Sequence, residues 1–369
     1  MATAESRGSG LEHTLLNAAR GGDEDAYRRL LEPYRGELHA HCYRMLGSVH
    51  DAEDAVQDAS LRAWRGLARF EGRSSLRSWL YTIATNTCLN LIAKRPKRVL
   101  PIDYGPATDP HDGLGMPLSE TVWLEPYPDE TIGLQDGFAA PDARYEQRES
   151  VELAFVAALQ YLPATQRAVL ILREVLGFSA AEVAETLETT VASVNSALQR
   201  ARKTVDDKLP ERSQQATLRA LGDEKLQAIV EAYMDAMVRG DVPRVVSMLA
   251  EDAAWSMPPL PTWFVGLDGI TGFLRNGPLS GEWRWRHHPA RVNGQAAIAA
   301  YTWSDEESAY LPFALDVLTI EGDRIKAVTA FITRMANSDD REFYTRWPDQ
   351  PLDRARFTFE RFGLPGRLD

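Results

Sequence analysis

Residues 99–143 carry nine acidic side chains and no basic one, among repeated Pro and Gly. A stretch of this length without a periodic apolar pattern does not fit inside a compact domain as a loop. It is expected to be an acidic, flexible linker, so the chain must fold as separate units on either side of it. At 369 residues there is sequence for two or three such units, each with its own core.

The same asymmetry decides how the net charge of -12 is read. A uniformly acidic protein is a poor ligand for nucleic acid, because phosphates are held by clustered Lys and Arg. Here residues 11–98 carry 14 basic against 11 acidic residues, whereas residues 210–369 carry 18 against 23. The acidity belongs to the linker and the last third, and the first block remains free to bind DNA. No apolar run reaches the length of a membrane helix and the first ten residues lack a signal-peptide core, so no membrane association and a cytoplasmic location are expected. Cys42 and Cys88 stand outside any CxxC spacing and read as buried, reduced thiols.

From Leu11 to about Arg98 apolar residues recur at three and four with almost no proline, the pattern of a helical bundle. Within it, Ala52, Ala55, Val56 and Ala59 are expected to face inward. Asp51, Asp54 and Asp58, with Glu53 and Gln57 beside them, make a polar, acidic face that suits a basic protein partner or simply solvent. Further on come Trp64 and then Phe70, Arg73, Ser74, Ser75, Arg77 and Trp79, followed by a helix through Asn86 and Asn90. That helix ends at Lys94, Arg95, Lys97 and Arg98. Aromatic rings interleaved with cations can hold unstacked bases and their backbone, while Trp64 and Trp79 fit a core equally well.

The second helical block, residues 144–209, contains Gly177-Phe178-Ser179 and then Glu182, a capping box that starts a short helix. After a break at Glu188–Thr190, capped again by Thr189 or Thr190, a second helix runs from Val191 to Val205. Helical periodicity buries Val191, Val194, Ala197, Leu198, Ala201 and Val205. It leaves Asn195, Ser196, Gln199, Arg200 and Lys203 on the other side, able to reach base edges and phosphates. This is a helix-turn-helix pattern, which a solvated helical hairpin shares.

The last third opens with helices at Glu224–Arg239 and Val242–Leu249. Short aromatic-rich strand candidates follow at Ala254–Met257, Trp283–His288, Ala296–Trp303, Phe313–Ile320 and Ile325–Phe331, the last two joined across Gly322-Asp323. Helices followed by a curved antiparallel sheet make an α+β domain. The expected fold class is therefore multidomain, two all-α domains plus one α+β domain.

Four segments in this order resemble the extracytoplasmic-function sigma factors: His41-Cys42-Tyr43-Arg44-Met45, the run from Asp51 to Asp58, the run from Ser74 to Asn86, and the helix-turn-helix ending Gln199-Arg200-Ala201-Arg202-Lys203. The resemblance covers residues 11–209, and the whole layout is similar to the SigG-like group. It implies a region 2 at 11–98, a linker at 99–143, a region 4 at 144–209, a SnoaL-like cone at 223–335 and a tail at 336–369. By the same resemblance Asp51, Glu53, Asp54, Gln57 and Asp58 bind core RNA polymerase. Phe70 to Arg77, Trp79, Asn86 and Asn90 bind the minus-ten promoter strand, with Lys94, Arg95, Lys97 and Arg98 on phosphates. The helix from Val191 enters the minus-35 major groove. Many members carry two arginines early in that helix, where this chain has Asn195 and Ala197. The SnoaL-like resemblance rests on Trp255, Met257-Pro258-Pro259, Trp263, Gly266 and Phe331.

The cone leaves a competing expectation open. Such domains include isomerases and cyclases that use a carboxylate or a His as general base in an apolar pocket, and Asp316, His287 and His288 are the candidates. Alternation along the strand sends the two histidines to opposite faces. No P-loop, HExxH or metal spacing occurs, so no cofactor is expected, and the domain is read as a regulator of transcription rather than an enzyme. An unidentified small-molecule ligand in its pocket is the alternative. The residues Phe357 to Pro365 are expected to dock on a neighbouring surface.

Overall fold

The computed structural model describes residues 2–112, 123–129, 150–333 and 359–369. These form two compact units. The first contains residues 2–95 and 159–207, the second 96–112, 123–129, 150–158, 208–333 and 359–369. Most of the linker's acidic centre, the start of the second helical block at Arg144, and the tail residues Trp347 and Phe357 lie outside the described residues.

In the first unit α1 (Ala2–Arg20), α2 (Glu24–Leu46), α3 (Val49–Gly66) and α4 (Leu76–Ile92) pack as a bundle. Each boundary has a local cause. Asp23 accepts a hydrogen bond from the Ala26 amide to start α2, and Gly47, in the left-handed region at φ 70°, ends it. Ser48 then caps α3 at the Asp51 amide, and Ser75 caps α4 at the Ser78 amide. Ala52, Ala55, Val56 and Ala59 are buried as their spacing predicts, and so are Cys42 and Cys88, both free thiols. Burial and the neighbouring Cys42 thiol push the Cys88 thiol well above its ordinary value.

The short α5 (Pro101–Tyr104) and α6 (Leu153–Gln160) come next in the chain. Three elements of the first unit follow: α7 (Ala164–Leu170), which runs on into a π-helical turn at Ile171–Val175, α8 (Ala180–Thr186) and α9 (Val191–Asp206). Arg167 of α7 is buried, and its guanidinium reaches Gln160 Oε1 at 2.6 Å, Gln160 O at 3.2 Å and Leu162 O at 3.3 Å, as well as Met45 O at the end of α2. Desolvation lowers its pKa to about 10.

The second unit is built on a six-stranded sheet with helices α10 (Gln214–Leu221), α11 (Asp223–Arg239), α12 (Val242–Ser247) and α13 (Gly266–Asn276). The strands are β1 (Leu249–Ser256), β2 (Trp263–Val265), β3 (Trp285–Val292), β4 (Gln295–Ser304), β5 (Ala309–Glu321) and β6 (Arg324–Ile332), in the order β2-β1-β6-β5-β4-β3. The sheet is mixed rather than wholly antiparallel, because β1 runs parallel to β6 with Trp255 opposite Val328. The helix α13 intervenes before the chain returns, so the first strand is not part of the meander. Two hairpins set the rest: β5 and β6 turn at Gly322-Asp323 as expected, and β3 and β4 turn at Asn293-Gly294, both with positive φ. One face of the sheet closes over a core of Tyr233, Trp255, Phe264, Phe273, Leu274 and Val328. The described end of the tail lies on this domain's own sheet: Phe359 is fully buried edge-on against Tyr301, and Leu368 pairs with Tyr310 through two 2.9 Å backbone bonds.

Candidate promoter and polymerase interface

On α3 the acidic face divides. Glu53, Asp54 and Gln57 are exposed, and Asp58 is half-buried and bonded to Arg62 at 2.9 Å. Asp51 is buried, its carboxylate paired with Arg95 beyond the end of α4. Glu53, Val56, Gln57, Leu61 and Trp64 form one wall of a groove of about 910 Å³ whose other wall is α2, with Arg28, Leu31 and Arg35. The groove is apolar along its floor and charged along its rim.

The segment before α4 is ordered by its own aromatics. Phe70 is buried against Trp79, ring centres 4.9 Å apart, and Arg20 lies over the Phe70 ring while donating to its carbonyl. Trp79 is half-buried and also touches the Gly66 position, where a Cβ would come within 3.2 Å of the indole. Arg73 is exposed and paired with Glu71 at 2.6 Å; Ser74 is half-buried, and Ser75 is occupied in capping α4. Arg77 is held between the rings of Tyr81 and Phe178, 4.9 and 5.0 Å from their centres, and reaches Glu37 at 3.3 Å. Asn86 is half-buried, and Asn90 and Lys94 are exposed. Arg98, expected on a phosphate, is instead 5% exposed, donating to Trp123 O at 2.7 Å. No sequence signal links Arg20 to Phe70 or Arg98 to Trp123, since both contacts are long-range.

The helix-turn-helix is assembled by its caps. Glu182 N donates to Ser179 Oγ at 3.2 Å and Ser179 N to Glu182 Oε2 at 2.8 Å; hydrogen bonding from Ser179 to the carboxyl, that of its backbone amide first, holds Glu182 below its usual range. Thr190 caps α9 at the Ser193 amide. Val194, Ala197, Leu198, Ala201 and Val205 are buried, and Asn195, Ser196, Gln199, Arg200 and Lys203 are all exposed. Val191 departs from the periodic expectation: it is 45% exposed, at the first position of α9 and at the edge of the apolar sector. Arg202, which the pattern did not single out, is paired with Glu174 at 2.7 Å.

In this unit α4 and α8 also meet: Thr82 Oγ1 lies 3.0 Å from Thr186 Oγ1, and Ser78 Oγ lies 3.4 Å from Glu182 Oε1.

Residues 30–98 match the Sigma-70 region 2 family, residues 152–205 the Sigma-70 region 4 family, and residues 230–328 the SnoaL-like domain family. Over 315 residues the chain is 43% identical to the ECF RNA polymerase sigma factor SigG of Mycobacterium tuberculosis, covering 85% of this chain and 82% of that protein. The chain belongs to the extracytoplasmic-function (ECF) sigma factors. This sigma factor is also 29% identical over 196 residues to the ECF RNA polymerase sigma factor SigW of Bacillus subtilis, covering 53% of this chain and 94% of that one. The crystal structure of the Mycobacterium tuberculosis ECF sigma factor SigJ aligns with it at 24% identity and a TM-score of 0.48, covering 86% and 97% of the two chains. It is an RNA polymerase sigma factor of two helical sigma domains and a C-terminal SnoaL-like α+β domain. Among its described residues no helix is long and apolar enough to cross a membrane.

In the SnoaL-like domain Asp316 is buried and accepts a 3.0 Å hydrogen bond from Tyr233, and burial raises its pKa to about 7. His287 faces the same side as Trp285, stacked at 6.1 Å, whereas His288 is exposed and lies 2.8 Å from Pro289 O. Both ring nitrogens of His287 are shut off from solvent with no partner among the described residues, and desolvation lowers its pKa to about 4.

The linker residues of the second unit are fastened to this domain. Thr108 N donates to Trp263 O at 2.8 Å, and Trp263 Nε1 donates to Gly105 O at 2.9 Å. Asn293 takes Tyr127 N on its Oδ1 at 2.8 Å and gives its Nδ2 to Val151 O at 2.7 Å. Gly294 N donates to Asp129 Oδ1 at 2.7 Å, and the Glu152 carboxylate receives the Gln214 and Gln215 amides at the start of α10.

Proposed function

We propose that residues 11–98 bind core RNA polymerase and the minus-ten strand, that residues 144–209 bind the minus-35 element, and that residues 223–335 regulate both, with 99–143 as linker and 336–369 as tail. The observation that carries this is the helix-turn-helix. Its second helix buries one stripe and offers Asn195, Ser196, Gln199, Arg200 and Lys203 on the other, the form of a helix laid in a major groove.

Glu53, Asp54, Gln57 and Asp58 line or flank the groove beside α3 and are the polymerase contacts; Asp51 supports them through Arg95. Phe70, Arg73, Ser74, Ser75, Arg77, Trp79, Asn86, Asn90, Lys94 and Arg95 serve the minus-ten strand. Some act from the surface, as Arg73, Asn90 and Lys94 do, and others, such as Phe70, by holding the loop before α4 in shape. The third domain acts by holding the linker. Bonds from Trp263, Asn293 and Gly294 to Gly105, Tyr127 and Asp129 keep these residues on the cone, so their release changes how the two sigma domains reach polymerase and DNA. The domain works as a regulator and not a catalyst, and it works in the cytoplasm with polymerase; the general-base candidate Asp316 is buried and bonded to Tyr233. A small-molecule ligand in the cone is a second reading, favoured by the partnerless ring nitrogens of His287.

The test is run-off transcription with bacterial core polymerase, comparing the full chain with one ending at Leu209. Initiation by both with altered output from the shorter chain supports the scheme. No initiation by either sinks the domain roles, and equal output sinks the regulatory one.

A further inference from the structure

The face of α9 that points away from its buried stripe is unusual in what it lacks. Opposite Val194, Ala197, Leu198, Ala201 and Val205 lie Ala192, Ser196, Gln199 and Lys203, within about 60° of one another at 100° per residue. All four are exposed. Lys203 is the C-terminal member, a full turn beyond Gln199. In a helix that enters the groove by its N-terminus it lies where the helix leaves the base edges for the backbone. The two arginines nearby are drawn aside. Arg202 is paired with Glu174 at 2.7 Å, and Arg200 is set on the flank with its guanidinium 3.5 Å from Ser196 Oγ. A methyl, a hydroxyl and a carboxamide are left to meet the bases, with no guanidinium among them.

We propose that Ala192, Ser196 and Gln199 are the base-reading row of this sigma factor and that they select A·T pairs in the upstream promoter element. The assignment rests on α9 lying in the minus-35 major groove. Gln199 forms a bidentate pair with adenine, accepting from N6 and donating to N7, and the Ala192 methyl packs on the 5-methyl of a thymine. The seven residue steps from one to the other span about 10 Å along the helix, the rise of about three base pairs, so the two contacts fall on different steps of one short element. Ser196, between them, pairs with either base type and adds little selectivity. Arg200 and Lys203 hold phosphates, which supplies affinity without sequence preference.

The experiment is selection of upstream promoter sequence from a randomised pool by holoenzyme made from core polymerase and the full chain. It is repeated with Gln199→Arg, Gln199→Ala and Arg200→Ala. The expected result is enrichment of A·T at the positions facing α9. Gln199→Ala lowers the preference at one position about tenfold, Gln199→Arg moves that position to G·C, and Arg200→Ala weakens all sequences alike. Because Gln199 and Arg200 are exposed, an unchanged thermal melt of each variant serves as the folding control. Enrichment of G·C by the parent chain, or a change of base preference caused by Arg200→Ala rather than by Gln199→Arg, overturns the assignment. A pool in which no upstream position is enriched, and in which parent and variants behave alike, overturns instead the reading on which it rests.

Discussion

Asp51 at the head of α3 and Arg95 beyond the end of α4 are partners in one ion pair, the carboxylate buried and the guanidinium about one-third exposed. Each was expected to serve a different macromolecule, Asp51 the polymerase and Arg95 the promoter. The pair couples the two surfaces: loss of Arg95 takes from the buried Asp51 carboxylate the cation beyond the end of α4, and loss of Asp51 takes from Arg95 the carboxylate that positions it. Asp51→Asn and Arg95→Ala are each expected to cost about 1–2 kcal/mol of stability and to weaken polymerase binding. Lys94→Ala, on an exposed neighbour, weakens DNA binding alone. Urea midpoints with core-binding titrations separate the cases; equal behaviour of Arg95→Ala and Lys94→Ala rules the coupling out.

Arg167 satisfies three carbonyls and the Gln160 amide oxygen from one buried guanidinium. Arg167→Leu leaves those acceptors without a donor, and a loss of about 3 kcal/mol in the stability of the first unit is expected. Lysine does not rescue it, because a single ammonium cannot reproduce the planar fork. Chemical denaturation of the full chain reads this directly, and a variant within 0.5 kcal/mol of the parent, as is usual at ordinary surface sites, counts against the role.

Asn293→Gly keeps the positive φ that the hairpin needs but deletes the carboxamide that holds Tyr127 and Val151. The expected outcome is faster proteolytic cleavage within residues 96–130 at little cost to the melting of the SnoaL-like domain, together with a changed transcriptional output. Unaltered cleavage would show that the remaining bonds, from Gly294 and Trp263, suffice.

Burial raises the folded-state pKa of Asp316 from 3.8 to about 7. Between these values the folded chain binds more protons than the unfolded one, so this group's contribution makes stability fall as pH rises, until the full penalty is reached above pH 7. His287, lowered from 6.5 to about 4, acts in the opposite sense over most of the same window, since its neutral form is favoured on folding. The parent's pH profile therefore mixes two opposed effects, and the difference between parent and Asp316→Asn isolates one. The variant is expected to be the more stable above pH 7, by on the order of 4 kcal/mol, with the advantage vanishing towards pH 4. A difference that does not vary with pH would mean that the carboxyl is ionised throughout.

Features governed by neighbours in sequence were legible in advance. The Ser179–Glu182 box, the Thr190 cap, the buried stripes of α3 and α9 and the Gly322-Asp323 hairpin all follow from interactions spanning a few residues. The Asn293-Gly294 turn carries an equally local signal. What could not be read are contacts between residues far apart in the chain. Arg98 looks like a surface cation until Trp123 and Glu125 are placed beside it. The place of Arg77 between the rings of Tyr81 and Phe178 depends on a residue about a hundred positions away on another segment. The parallel run of β1 beside β6 depends on where α13 returns the chain, which strand propensity does not encode. Val191 follows the periodic pattern yet stays exposed, because period alone does not say what packs against the first turn of a helix.

The Asn293 carboxamide binds the backbone on both sides of the stretch 128–150, at Tyr127 and at Val151. One side chain at a hairpin tip thus clasps two residues that stand 24 apart in the chain, like a single ring through which a cord passes twice. The entropy of closing a span grows only slowly with the number of residues in it, so the clasp depends on the two residues it holds, Tyr127 and Val151, far more than on how many residues separate them.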